Sequence, residues 1–466
     1  MTVEKEAPAA PATHPVVLPR ISTDPLDTLV DRVRPVLARA VEPLQVAAAL
    51  EADGVTDRNA RVEYGFPDVF ALAQEVFRRL GPPADDPPAP AASGHGRRQV
   101  TRLLLHGPLY ALPSAVFPAV LAVLGERNAL IALTTAGVVG WALAGTVAYA
   151  AYKLLGANRP HRAARLLRFS ALAAPAVGVL IGLCVGGTWE LIVLAAGQLS
   201  YQLAGTVLMF YRRELWQALA MVPAVVAGVV YLVNEDILAP ALITGGAGVA
   251  AAYAAALWST RGHGSGEPAF GHDRKKLAGV TAYGILSALL LLHAALPYLP
   301  NRIDIALAVA PLILSMGFVE WRAERFRGRA LELTRTSRSP RDFERRLGQR
   351  IGRELLVCMG VAAALGLVLI LVLQTRDPAV FVMIGAHVLL AGAYYVAFLL
   401  AGFEHFGRLC ASLIAALTLH LGVVALLGRP VAPLTDTVLF GGSVLALLSL
   451  FLLGLAPSVR QVRHYR

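Results

Sequence analysis

The 466 residues are 56% hydrophobic and only 16% charged, with a mean hydropathy of +0.60. Those values exclude an ordinary soluble domain. The formal net charge of +11 would suit nucleic acid, but basic residues that sit between apolar runs orient a membrane protein and attract anionic lipid, so no nucleic-acid partner is expected.

Residues 1–20 read as disordered, and 24–81 as a small cytoplasmic helical module. Asp24-Pro25 places a cap before a proline at the first helical position. Leu26, Leu29, Val30, Val33, Val36 and Leu37 follow at helical spacing. Phe66-Pro67-Asp68 opens another helix carrying Val69, Phe70, Leu72, Ala73 and Val76, which Gly81 stops. A piece this small is expected to be marginal alone or to dock on something. Pro82, Pro83, Pro87, Pro88 and Pro90 predict a stiff linker to the membrane, closing a module at 1–95.

Twelve apolar segments follow, at 104–125, 129–152, 165–187, 188–210, 214–233, 237–259, 276–299, 303–321, 354–374, 378–402, 407–427 and 433–456. Each is long enough to cross a hydrocarbon core of about 30 Å. With the amino terminus inside, the inner stretches hold 29 of the 42 Lys and Arg residues and the outer loops only Arg127, Arg302, Arg376 and Arg429. That asymmetry predicts a multi-pass protein of the cell membrane with both termini cytoplasmic. Every outer loop is short. The first polar run is Pro-rich and the first apolar run begins after residue 100, so no cleavable signal peptide is expected.

A polar linker at 261–276 divides the spans into a first lobe at 96–260 and a second at 277–466. The fold class is therefore an all-α polytopic membrane protein with two six-helix lobes, arranged as in transporters built from two halves. The inner loop at 322–353 reads as helix, break, helix. Ser339-Pro340-Arg341-Asp342 is a capping box, and Phe343, Leu347 and Ile351 lie on one face backed by Arg341, Arg345, Arg346, Arg350 and Arg353. A basic amphipathic helix of this kind lies on the inner membrane surface or docks an acidic partner; a solvated positive-inside loop is the alternative.

No Lys or Arg lies deep in any span. Glu190, Glu214, Glu320 and Glu404 fall near span ends and Asp436 at the outer start of the last span. Gln198, Tyr201, Gln202 and Gly205 share one face of the fourth span; Trp141, Gly145, Tyr149 and Tyr152 form a stripe on the second; His387 and Tyr394 mark the tenth. Aromatic rings and amides suit sugar rings, whose C–H faces stack and whose hydroxyls need partners. Interhelical bonding by Gln and interfacial belts of Trp and Tyr are the plainer explanations. His293, His387 and His420 lie in the outer halves of the seventh, tenth and eleventh spans; a cluster in the second lobe that titrates near neutral pH is one reading and scattered, satisfied buried histidines the plainer one, with no metal spacing. Gly178, Gly182 and Gly186 predict a ridge for close helix packing. Cys184, Cys358 and Cys410 read as small buried hydrophobes. No nucleotide, dinucleotide or zinc motif is present and the outer loops are too small for a membrane glycosyltransferase, so neither a cofactor nor an enzyme activity is expected.

Twelve spans in two halves, short outer loops and the stretch 316–356 together resemble the multidrug/oligosaccharidyl-lipid/polysaccharide (MOP) flippase superfamily. That stretch holds Phe318-Val319-Glu320-Trp321, Glu324-Arg325-Phe326-Arg327, a break and the capped helix from Ser339. The nearest likeness is to its PelG group of exopolysaccharide exporters, over roughly residues 100–466. The resemblance implies export of a hexosamine-rich or related polysaccharide together with a cytoplasmic glycosyltransferase. Two features depart from that pattern: the module at 1–95 is an addition, and the amino-terminal motif expected before the first span is missing. Flippases of pyrophosphate-linked oligosaccharides carry a cationic central cavity, whereas these spans are neutral, which argues against a strongly anionic substrate. The expectation is an exporter of a polysaccharide or lipid-linked saccharide, its path walled by Gln198, Tyr201 and Gln202 on one side and His387, Tyr394 and His420 on the other, with Arg341, Arg345 and Arg346 docking a partner or the membrane surface. A multidrug or small-lipid exporter, or a non-transporting scaffold for a polysaccharide synthase, is the alternative.

Overall fold

The computed structural model describes residues 24–37, 40, 42–81, 97–261, 274–299, 301–336, 340–428 and 431–459. The expected disordered start, the Pro-rich linker, most of the inter-lobe linker and Ser339 of the capping box lie outside the described residues. The chain divides into two compact units, Met1–Gly94 and His95–Arg466.

The first unit is four short helices, α1 (Pro25–Leu37), α2 (Pro43–Ala52), α3 (Asp57–Glu63) and α4 (Val69–Leu80). The Asp24 carboxylate accepts from the Leu26 amide at 2.9 Å and Asp68 from Ala71 at 2.7 Å, so both caps act where the sequence places them. Leu29, Leu50, Leu72, Ala73 and Val76 form the core, while Phe70, assigned above to the apolar face of α4, points outward. Arg79 ties α4 to α1 through Asp24 and Asp27, each at 2.7 Å.

The second unit holds twelve helices long and apolar enough to cross a membrane, numbered here as spans 1–12. They are Leu104–Leu124, Arg127–Gly156, Pro160–Val185, Trp189–Phe210, Glu214–Tyr231, Glu235–Ser259, Lys275–Ala295, Ile303–Ala330, Arg341–Leu373, Pro378–Gly402, Phe406–Leu427 and Pro433–Pro457. Within the first six, span 3 packs on 4, 2 on 4, 2 on 3, 5 on 6, 4 on 6 and 1 on 5. Each pair recurs six spans later, as 9 on 10, 8 on 10, 8 on 9, 11 on 12, 10 on 12 and 7 on 11. This is an internal repeat visible in the packing although the two halves share no obvious sequence. It extends to the turns. Arg212 (φ 57°) and Glu404 (φ 60°) occupy the left-handed conformation at matching places, and the amides of Arg213 and His405 close the turns onto Leu208 and Leu400 at 2.7 and 3.1 Å.

The most buried spans are 4 and 10, equivalent in the repeat, so each lobe is built around one central helix. The glycine ridge lies where its spacing puts it: a Cβ on Gly178 or Gly182 would come within 2.5 Å of the span 4 backbone, at Ala196 and Ile192.

Spans 8 and 9 run on past the bundle, from Ala310 to Thr336 and from Pro340 to Leu373. The helix–break–helix reading therefore holds, but the apolar stripe does not lie on a membrane surface. Phe343, Leu347 and Ile351 are buried with Phe326 and Ala330 of the preceding helix, so the two extensions zip together as an antiparallel hairpin. Arg341, Arg345 and Arg346 remain on the exposed face. At the hairpin base the Glu354 carboxylate, only 2% exposed, is held by Arg322, by Arg329 at 2.9 Å and by Arg350 at 3.3 Å.

Candidate functional site

The lobes meet along two pairs of spans, 1 with 8 and 2 with 7. Glycine lets both crossings close. A Cβ on Gly107 would stand 2.3 Å from the Leu314 carbonyl oxygen, and one on Gly284 2.9 Å from Ala142 Cα. Polar side chains reinforce this seam toward the end of the bundle that carries the turns at 157–159, 211–213 and 403–405, called here the basic end.

Two ionic ties lie there, and the repeat relates them. In the first, His106 of span 1 meets Glu320 of span 8 at 2.7 Å and approaches Glu214, at the start of span 5, at 3.9 Å. In the second, Glu404 in the turn after span 10 is gripped by Lys276 of span 7 and Lys153 of span 2, and accepts from the Tyr149 hydroxyl at 3.0 Å. These hydrogen bonds, from Lys153 above all and then Lys276, hold the Glu404 carboxyl down to about 2. Between the ties, the hydroxyls of Thr146 and Thr281 join spans 2 and 7 at 2.7 Å.

Beside the first tie lies a partly open aromatic set. Tyr110 of span 1 and Trp141 of span 2 bring their ring centroids to 5.9 Å, and Tyr152 packs on Phe210 of span 4 at 5.0 Å. Tyr110 and Tyr152 keep 40% and 55% of their surface, and nothing approaches the missing side chain of Gly145 between them.

The residues singled out on spans 4 and 10 have different surroundings. Pro113 carries no N–H to satisfy the carbonyl of Leu109, and span 1 tightens into a 3-10 turn at Leu112–Val116. The Tyr201 hydroxyl donates to that Leu109 oxygen at 3.0 Å, which gives Tyr201 a structural task between spans 4 and 1. Gln202 donates to the Gly137 carbonyl at 3.4 Å, and Gln198 is half-buried one turn away. Buried Gln217 of span 5, which the sequence reading passed over, packs against Gly205. On span 10 the buried Tyr394 reaches toward the Ser287 carbonyl at 3.5 Å, and the buried His387 bonds back to Met383. The hydrogen bonds of Tyr201, Gln202, His387 and Tyr394 all run within their own lobes.

The histidines are not scattered. His293 Nε2 and His420 Nδ1 stand 2.8 Å apart, and His420 Nε2 lies 3.3 Å from Asp436, which also accepts from the Tyr298 hydroxyl. His387 stays apart, sharing only the Phe440 ring with His420. No group of three or more His, Cys, Asp or Glu among the described residues is placed to hold a metal ion.

A crevice of about 280 Å³ opens between spans 2, 3, 4 and 7, lined by Leu143, Val147, Phe169, Ala173 and Leu203, with Arg162 at its basic end. Set against protein-family models, curated proteins and solved structures, the chain matches none.

Proposed function

We propose that this multi-pass membrane protein exports a saccharide by alternating access between its lobes, with the basic end facing the cytoplasm as the distribution of Lys and Arg predicts. The observation that carries the reading is the partly open aromatic set of Tyr110, Trp141 and Tyr152 beside the carboxylates of Glu214 and Glu320. Ring faces receive the C–H faces of sugars, and carboxylates favour protonated amino groups over anionic ones. The set therefore suits a hexosamine-containing chain, in keeping with the resemblance to the exopolysaccharide exporters of the MOP superfamily. Gln198 and Gln202 extend this wall in the first lobe. His387, Tyr394 and His420 serve the second lobe from within. The exposed Arg341, Arg345 and Arg346 are the docking face for a cytoplasmic glycosyltransferase, and the chain itself catalyses no reaction.

The apolar crevice favours a second form of the substrate. A lipid-linked saccharide, or a small lipid in its place, would lay its hydrocarbon there with a phosphate at Arg162. Purifying the tagged protein in mild detergent and identifying by mass spectrometry what accompanies it tests both forms. An amino-sugar chain or a glycosyltransferase supports saccharide export, and bulk phospholipid alone overturns it.

A further inference from the structure

We propose that the string Asp436–His420–His293 in the second lobe is a proton-binding site that couples proton entry to movement of the lobes. The inference rests on the transporter reading and names its energy source.

The string is linear, and that geometry suits a proton. Asp436 accepts from the Tyr298 hydroxyl, and its carboxylate lies 3.3 Å from His420 Nε2, an ionic contact outside hydrogen-bond geometry that favours hydrogen on that nitrogen. The other nitrogen of His420 faces His293 Nε2 at 2.8 Å. Before a proton binds, that contact is a donation from His293 to His420. When a proton arrives, His293 passes its Nε2 hydrogen to His420 Nδ1 and becomes the acceptor, so the bond between the two rings survives and the string passes from one negative charge to none. His420 is 3% exposed while His293 is half-buried, so the proton's resting place is enclosed and its approach is from the His293 side. His387 is a further buried imidazole close by: its Nε2 has no partner, and its ring lies against the same Phe440 that His420 touches.

Among the described residues, these titratable and charged groups face the string or its ends. Span 7 contributes His293, span 12 Asp436 and span 10 His387. The turn after span 7 adds Tyr298 and Arg302, the latter occupied by Asp304 at 2.9 Å and Asp377 at 2.5 Å. Mechanical coupling is provided by span 7 itself. It is one unbroken helix from Arg274 to Ala295, with His293 at one end and Lys276 of the second ionic tie at the other. A change in the pull on His293 is therefore felt at the seam, where span 7 packs on span 2.

The test needs no saccharide, so it fails or succeeds independently of the substrate proposed above. In a chain with Cys184, Cys358 and Cys410 replaced by Ala, cysteines at Thr146 and Thr281, spin-labelled before the titration, report the ratio of open to closed seam in liposomes through their separation. The expected result is a single-proton step in that ratio, approaching tenfold per pH unit on its slope. The step persists with His106→Gln, which removes the other imidazole at the seam, and is lost in both Asp436→Asn and His420→Gln. Monodispersity and melting temperature certify that each variant is folded, and Tyr298→Phe, which keeps all three members of the string, displaces the midpoint without abolishing the step. A pH profile unchanged by Asp436→Asn and His420→Gln in folded protein, or a flat profile in the parent, overturns the proposal.

Discussion

The two ties at the basic end occupy equivalent places in the repeat but carry opposite chemistry. One is acid–base–acid, Glu214, His106 and Glu320; the other is base–acid–base, Lys276, Glu404 and Lys153. Each takes two members from its own lobe and one from the other. The backbone arrangement was retained while the charges were inverted, so the position matters more to the lobes than the identity of the pair. The difference lies in how each centre binds. The imidazole of His106 offers two ring nitrogens to its carboxylates, a role an amide can partly mimic, whereas Glu404 holds together two ammonium groups that repel each other without it.

The most disruptive way to probe that comparison is to part the lobes sterically. Gly107→Ala places a methyl group against the Leu314 carbonyl, which is backbone and cannot swing aside, and a loss of about 3 kcal/mol in thermal stability is expected. The same change at Gly284 meets Ala142 at a longer distance and costs less, so melting temperatures rank the two crossings. Next in size is Glu404→Gln, which leaves Lys153 and Lys276 facing each other without an anion. A loss of about 2 kcal/mol follows, less than for a fully buried pair because Glu404 is partly exposed. His106→Gln should be milder at neutral pH, since an amide can still donate to one carboxylate; equal losses in the two variants would remove the distinction drawn here.

Acid sharpens it further. Because the Glu404 carboxyl is depressed in the folded protein, its contribution is complete above the ordinary carboxylate range of about 4.5 and vanishes as pH falls toward 2. Melting temperatures at pH 4 and at pH 2.5 read that loss directly, and Glu404→Gln flattens the difference. The smallest effect is expected at Tyr201. Tyr201→Phe leaves the Leu109 carbonyl without a donor and costs about 1–2 kcal/mol in melting experiments, with no change at either tie.

The spans were legible because their signal is local: apolar length and the side on which basic residues fall. The caps at Asp24 and Asp68 were legible for the same reason. What escaped was pairing at long separation. His106 and Glu320 are 214 positions apart, and nothing in either neighbourhood specifies the other. The stripe of Phe343, Leu347 and Ile351 was readable, yet its cover was not, although Phe326, Ala330 and Leu333 supply a matching stripe on the helix before it. Glu354 was hidden by the arginines that neutralise it, since a tally by side of the membrane registers only their excess. Tyr201 looked like a lining residue because the carbonyl it serves is created by a proline in another span. The histidines could be read as a cluster of the second lobe, but neither the pairing of His293 with His420 nor the part of Asp436 was legible, since the three come from spans 7, 11 and 12.

The narrow seam has a mechanical consequence. Two helix pairs form the main contact between lobes of six helices each, and both pairs touch through glycine. Contacts of that kind tolerate a change of angle far better than a change of register, because sliding drives the neighbouring side chains into the opposite backbone. Relative rotation about the two crossings is therefore the soft motion of this molecule and translation the stiff one, as for a door hung on two pins.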